Sequence, residues 1–154
     1  LVKKINFISA EEMYNETHKY FNDVDIAILS AAVADYTPKK VAHQKIKKTE
    51  TSLQIELTST KDILASLGAI KTNQFLVGFA LETNNEVENA KNKLKRKNLD
   101  AIVLNSLQDK GAGFATDTNK ITIIDKNLTT KEFPLKSKTE VAKDIMSEIL
   151  NKIK

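Results

Sequence analysis

The stretch DIAILSAAVA at positions 25–34 is an almost unbroken apolar run that opens on a single charge. Small and β-branched side chains without polar alternation are the pattern of a strand covered on both faces, as in a parallel sheet. Two further runs share it, FLVGFA at 75–80 and AIVL at 101–104. Helical patterns lie between them. Positions 61–70 set Ile63, Leu64, Leu67 and Ile70 on one side with Ser59 or Thr60 as N-cap, and positions 84–97 read as a charged helix. This alternation predicts an α/β fold: a Rossmann-like, doubly wound, mostly parallel sheet with helices on both faces.

Working outward, VKKINFI at 2–8 reads as a short strand, and Ser9 with Glu12 forms a capping box that opens a helix bearing Met13, Thr17, Tyr20 and Phe21. Positions 36–48 are polar, hold Pro38 and predict a loop, while LQIEL at 53–57 alternates like a half-exposed strand. A Gly-containing loop over 106–119 precedes the strand ITII at 121–124. A turn at 127–130 then lets 132–135 pair back as a small β-hairpin extension. Ser137 and Glu140 form a second capping box, which opens a C-terminal helix with Val141, Ile145, Ile149 and Ile153 inward. With no internal repeat and no linker, positions 1–154 read as a single domain.

Composition removes several function classes. The chain has 154 residues, 41% hydrophobic and 29% charged, enough for a real core and too apolar for general disorder. It has no cysteine, which excludes a disulfide framework, Cys-ligated zinc or iron–sulfur sites, and thiol catalysis. No apolar run approaches the roughly 20 residues that span a bilayer, and no signal-peptide pattern opens the chain, so a cytoplasmic protein with no membrane partner is expected. Lysine and arginine exceed aspartate and glutamate by 24 to 20, but Arg96 is the only arginine and the lysines are dispersed. That argues against nucleic acid, whose base edges favour arginine forks; most of the excess reads as solvated surface, with a minority focused on a small anion such as a triphosphate. There is no G-x-G-x-x-G and no P-loop. Either phosphates are held in another way or the chain lacks its first strand–turn–helix unit.

Chemistry-bearing residues gather where apolar runs end, the edge at which open α/β sheets bind ligands. Ala31 and Ala32 would let a ligand approach the backbone, and Asp35 emerges where a ribose or a metal is met; periodicity alone reads the same run as a strand ending in a solvent-facing Asp. Lys45 to Lys48 (KIKK) offers flexible ammonium groups to phosphate, or a solvated loop. In GFALETN at 78–84, Gly78 permits close backbone approach, Phe79 offers a ring for a base or a core, and Thr83 or Asn84 caps the next helix. Lys93 and Lys97 share one helix face and can reach successive phosphates, or sit in water. Asn105 closes another strand, and Asp117 and Asn119 fit either a metal or a turn. His18 and His43 have no partner at triad or metal spacing.

Taken in order, AAVADYTP (31–38), KIKK (45–48), KDIL (61–64), VGFALETNN (77–85), K-x-x-x-KNLD (93–100) and GFATDTNKI (113–121) resemble the phosphopantothenate–cysteine ligase domain, the phosphopantothenoylcysteine synthetase half of the bacterial bifunctional coenzyme A biosynthesis flavoprotein. The resemblance implies ligation of 4′-phosphopantothenate to L-cysteine at the expense of CTP with Mg2+, through an acyl-cytidylate. It puts Ala31, Asp35, Lys45, Lys61, Asp62, Ile63, Leu64, Phe79, Lys93 and Lys97 on nucleotide-binding positions. Lys45, Ala32 and Asp35 fall on the reacting groups, and the metal ligands stay unassigned. It also implies a homodimer, and fusion to or partnership with a phosphopantothenoylcysteine decarboxylase, the part that would hold FMN. The family's Gly-rich opening segment, with its Asn and Arg for phosphopantothenate, has no counterpart before Leu1. A chain without it is expected to bind CTP and be inactive alone. A non-catalytic nucleotide-binding module is the alternative; an NAD(P) oxidoreductase and an RNA-binding protein follow.

Overall fold

The computed structural model describes residues 2–42, 44–47, 52–106 and 116–153. Along the chain run α1 (Ala10–Phe21), β1 (Ile26–Leu29), β2 (Tyr36–Pro38), β3 (Leu57–Ser59), α2 (Ile63–Ile70), β4 (Phe75–Glu82), α3 (Glu86–Arg96), β5 (Ala101–Ser106), β6 (Thr118–Asp125), β7 (Thr130–Ser137) and α4 (Lys138–Ile153). A five-stranded sheet has the order β1-β4-β5-β6-β7, and β2 and β3 form a separate antiparallel pair. The pairs β1–β4 and β4–β5 are parallel, and β6 is antiparallel to both β5 and β7. One strand of the five therefore opposes the rest, and the sheet is mostly parallel.

Period-2 alternation explains the continuous apolar runs. Leu76, Ala80, Ile102, Leu104 and Ile124 face Phe21 of α1, Leu64 and Leu67 of α2, and Ala90 and Leu94 of α3. Val77, Val103, Ile121, Ile123 and Phe133 face Val141, Ile145 and Ile149 of α4. Helices cover both faces, so neither side of β4 or β5 can be polar. Both capping boxes form: Ser9 Oγ accepts from the Glu12 N–H at 3.1 Å, and Ser137 Oγ from the Glu140 N–H at 3.3 Å. Pro134 lies in edge strand β7 where the register shifts between Asn119 and Ile121, a position that tolerates a missing N–H.

Several local expectations are corrected. Residues 2–8 form no strand, and Val2 and Ile8 are fully exposed; apolar alternation there finds no ladder to join. β1 stops at Leu29 and, among the described residues, pairs with β4 alone. Residues 30–34 join no ladder among the described residues and extend past the sheet instead of lying within it. Positions 36–38 are strand and not loop, because Tyr36, Thr37 and Pro38 pair with Ser59, Thr58 and Leu57. Of 53–57 only Leu57 is in a ladder. The N-cap of α2 is Asp62, whose Oδ1 accepts from the Ala65 N–H at 2.9 Å, and not Ser59 or Thr60. Asn85, in the left-handed region at φ 47°, precedes α3 in place of Thr83 or Asn84. Ile153, expected inward, is 45% exposed.

Two glycines set helix distances. A Cβ on Gly78 would lie 2.5 Å from Leu64 Cδ2 and 2.9 Å from Leu99 Cδ1, so its missing side chain serves core packing and not ligand approach. A Cβ on Gly68 would lie 1.9 Å from the Lys97 carbonyl oxygen. Backbone cannot swing aside as a side-chain tip can. Gly68→Ala is therefore expected to destabilise the fold by about 1–3 kcal/mol, read as a lower urea midpoint at unchanged slope. An unchanged midpoint would show that α2 and the end of α3 are not held at this separation.

Candidate functional site

β1, β4 and β5 are parallel, so their C-terminal ends share one edge, and a cleft of about 550 Å³ opens there. Leu29 and the small-residue segment Ser30 to Val33 form one wall. Phe79, Ala80 and Leu81 supply the floor from β4, and Asn105 comes from β5. The first turn of α2 brings Lys61, Asp62, Ile63 and Leu64, while Lys93 and Lys97 project from α3 and Met13 from α1. Thr60 ties the rim: its N–H donates to the Asp35 carbonyl at 2.9 Å and its hydroxyl to the Ala34 carbonyl at 2.6 Å. That tether fixes Asp35 beside the entry to α2, although Asp35 and Thr60 are 25 positions apart in sequence.

The cleft's charges are arranged, not scattered. Lys97 Nζ lies 2.7 Å from Asp62 Oδ2 and 3.0 Å from Asp62 Oδ1, with the lysine side chain 12% exposed and the aspartate 50%. Burial pushes the Asp62 carboxyl up, but the Lys97 ammonium and the Ala65 N–H outweigh it, and the group sits below the usual carboxylate value. One turn away, Lys93 Nζ donates to the Phe79 carbonyl at 2.9 Å. Burial, reinforced by the Lys97 charge, pulls the Lys93 ammonium below the ordinary lysine value. Lys61 Nζ reaches Glu11 Oε1 at 3.3 Å and stands 4.8 Å above the Tyr14 ring. A multiply charged anion entering here meets three ammonium groups beside the N-terminus of α2.

Of the positions read from sequence, Ala31, Ala32, Asp35, Lys61, Asp62, Ile63, Leu64, Phe79, Lys93 and Lys97 line this one cleft. Lys45 does not. It is exposed, in the segment between β2 and β3. Lys48, His43 and positions 107–115, which include Gly113, lie outside the described residues. Asn119 donates from Nδ2 to Asn105 Oδ1 at 3.0 Å, and its own Oδ1 accepts from the Lys120 N–H, so it braces a cleft residue. Asp117 is exposed and its carbonyl accepts from the Lys138 N–H. His18 donates from Nδ1 to the Tyr14 carbonyl at 2.8 Å and its ring stacks on the Tyr14 ring with centroids 3.9 Å apart. Sequence reasoning missed Met13 and the tether made by Thr60; neither has a local signal, because both roles depend on contacts between distant segments.

No three His, Cys, Asp or Glu among the described residues are grouped to hold a metal ion. Of the cleft carboxylates, Asp62 is engaged by Lys97 and the Ala65 N–H, which leaves Asp35 as the one that would take a divalent ion arriving with its phosphates, since Mg2+ keeps several waters and takes one or two carboxylates besides. Among the described residues no helix is long and apolar enough to cross a membrane.

The chain matches the family of DNA/pantothenate metabolism flavoprotein C-terminal domains over residues 1–153. It is 54% identical over 150 residues to a cysteine/cysteine sulfinic acid decarboxylase from an unknown prokaryotic organism, covering 97% of this chain and 42% of that protein. It is 45% identical over 141 residues to the coenzyme A biosynthesis bifunctional protein CoaBC of Bacillus subtilis (strain 168), covering 92% of this chain and 35% of that one. Among solved structures, the C-terminal domain of a coenzyme A biosynthesis bifunctional protein CoaBC matches with TM-score 0.78 and 39% identity, over 97% of this chain and 67% of that one. The chain thus spans 42% and 35% of the length of these two curated relatives.

Proposed function

We infer a function from a fixed premise: the chain belongs to the family of DNA/pantothenate metabolism flavoprotein C-terminal domains. It carries the synthetase half of coenzyme A biosynthesis, joining 4′-phosphopantothenate to L-cysteine at the expense of CTP. The phosphopantothenate carboxylate attacks the α-phosphorus of CTP, giving an acyl-cytidylate and releasing pyrophosphate. The cysteine amine then attacks the acyl carbon, CMP leaves, and the nitrogen loses a proton as the amide forms. The observation that carries this reading is the cleft at the strand ends, where Asp35, Phe79, Lys93 and Lys97 converge.

Asp35 would take the ribose and Phe79 the base, with Lys61, Asp62, Ile63 and Leu64 around both. Lys93 and Lys97 would hold the outer phosphates, and Mg2+ bound with the triphosphate would neutralise part of its charge. The backbone at Ala31 and Ala32 would lie near cytosine and the pantothenate carboxylate. The native assembly is a homodimer in the cytoplasm, fused to or partnered with an FMN-binding decarboxylase. The chain matches two fifths of a relative named for decarboxylation, and that chemistry is assigned to the remainder. A non-catalytic nucleotide-binding module is favoured by one fact, the position of Lys45 outside the cleft.

Titration with CTP, ATP, UTP and NAD tests the nucleotide. CTP is expected to bind best, because the wrong base leaves buried polar groups unpaired. Lys93→Ala or Lys97→Ala should then weaken CTP by about tenfold or more while leaving CMP nearly unchanged, since a charge-assisted bond to an outer phosphate is lost. Equal affinity for all three triphosphates removes the cytidine claim. Equal loss for CTP and CMP moves the lysines off the outer phosphates.

A further inference from the structure

We propose that Asp62 is a counter-ion of the phosphate site, competing with phosphate oxygens for Lys97 and so speeding the departure of pyrophosphate. This rests on the nucleotide reading given above. An ammonium has three N–H donors, and the two oxygens of Asp62 lie at 2.7 and 3.0 Å from Lys97 Nζ. With that side chain 12% exposed, at most one donor is left for an incoming anion. Any phosphate that engages Lys97 fully must take it from Asp62.

The two partners differ in how readily they separate. Asp62 is half exposed, so water can replace the lysine at its carboxylate. Its Oδ1 also keeps the Ala65 N–H as the cap of α2, whether or not Lys97 is attached. Lys97 is anchored from the other side, because its backbone N–H donates to the Lys93 carbonyl at 3.0 Å and Gly68 packs against its own carbonyl. The ammonium therefore pivots over a short range between carboxylate and phosphate while the helices stay put. Lys93 works under another rule, since its acceptor is the neutral Phe79 carbonyl. A carboxylate within reach of Lys97 weakens ground-state binding of substrate phosphates and of pyrophosphate together. Tight uniform binding would not raise turnover, whereas a retained product would lower it.

Calorimetric titration with magnesium pyrophosphate reads the effect directly. Asparagine caps helices about as well as aspartate, so Asp62→Asn keeps the cap of α2 while taking the counter-charge from Lys97; Asp62→Ser, which also caps, is the second variant, and a melting curve for each confirms that the folded protein is what binds. Either is expected to tighten pyrophosphate by about tenfold, the value of one charge-assisted hydrogen bond. In a Lys97→Ala background the same substitution should move it by less than about twofold, as expected for two groups acting through each other. Unchanged or weaker pyrophosphate binding in the single variants overturns the proposal. So does tightening that survives Lys97→Ala, since Asp62 would then act only through the general field of the cleft. If the unsubstituted protein binds CTP in a Lys97-dependent way and Asp62→Asn still fails to tighten pyrophosphate, the counter-ion role alone is lost. If it binds neither CTP nor pyrophosphate, the nucleotide reading falls with it.

Discussion

Lys45→Ala is expected to lower the rate of CTP-driven amide formation by about a hundredfold to a thousandfold, the usual cost of removing one group that stabilises transition-state charge. The CTP dissociation constant should move by less than about threefold, because an exposed lysine contributes little to ground-state binding. Lys45 is exposed between β2 and β3, a segment whose two ends, Asp35 and Thr60, are tied together at the cleft rim. A side chain carried on such a segment can meet the reacting phosphoryl or acyl group without lining the cleft beforehand. Nucleotide titration and intermediate formation in the complete enzyme separate the two effects. A raised KM for CTP with unchanged kcat would make Lys45 a binding residue. Unchanged turnover would return KIKK to the reading of a solvated loop and favour the non-catalytic module.

What the sequence disclosed divides along physical lines. β4 and β5 were legible because both faces are covered, so every position in FLVGFA and AIVL had to be apolar or small. The capping boxes were legible because a cap involves residues three apart, as Ser9 with Glu12 and Ser137 with Glu140. Edge strands carry no such constraint. β1 has a neighbour on one side only, among the described residues, and the apolar residues after Leu29 serve the cleft wall, which sequence cannot tell from more strand. β2 and β3 pair across a long connection, and their six residues are all exposed, so neither shows burial periodicity. In the cleft, the residue types at the strand ends were legible, but their partners were not. Lys93 and Lys97 read as two free cations on one face. Only the packing of α2 against α3 gives Lys97 to Asp62, 35 positions away.

The largest stability effect is expected at a motif residue that never touches the cleft. Asp100, the aspartate of KNLD, lies at the opposite, N-terminal end of β5. Its Oδ2 accepts from Lys71 Nζ at 2.8 Å and from the Leu76 N–H at 2.8 Å, with both charged side chains nearly buried. Its own N–H donates to the Leu76 carbonyl and its carbonyl accepts from the Lys126 N–H. One residue thus joins the end of α2, the start of β4 and the β6–β7 turn. Asp100→Ala leaves an ammonium and a backbone N–H together without their acceptor in a buried place, and breaking such a pair costs about 3–5 kcal/mol. That is a large share of the roughly 5–15 kcal/mol by which a domain is stable, so the variant should melt far earlier or fold only in part. Asp100→Asn keeps an oxygen for Leu76 while losing the charge, and should fall between. Near-normal CTP affinity in folded Asp100→Asn, beside a lowered urea midpoint, would assign Asp100 to the scaffold. A loss of CTP affinity equal to that of Lys97→Ala, at an unchanged midpoint, would mean instead that this end of the sheet communicates with the cleft.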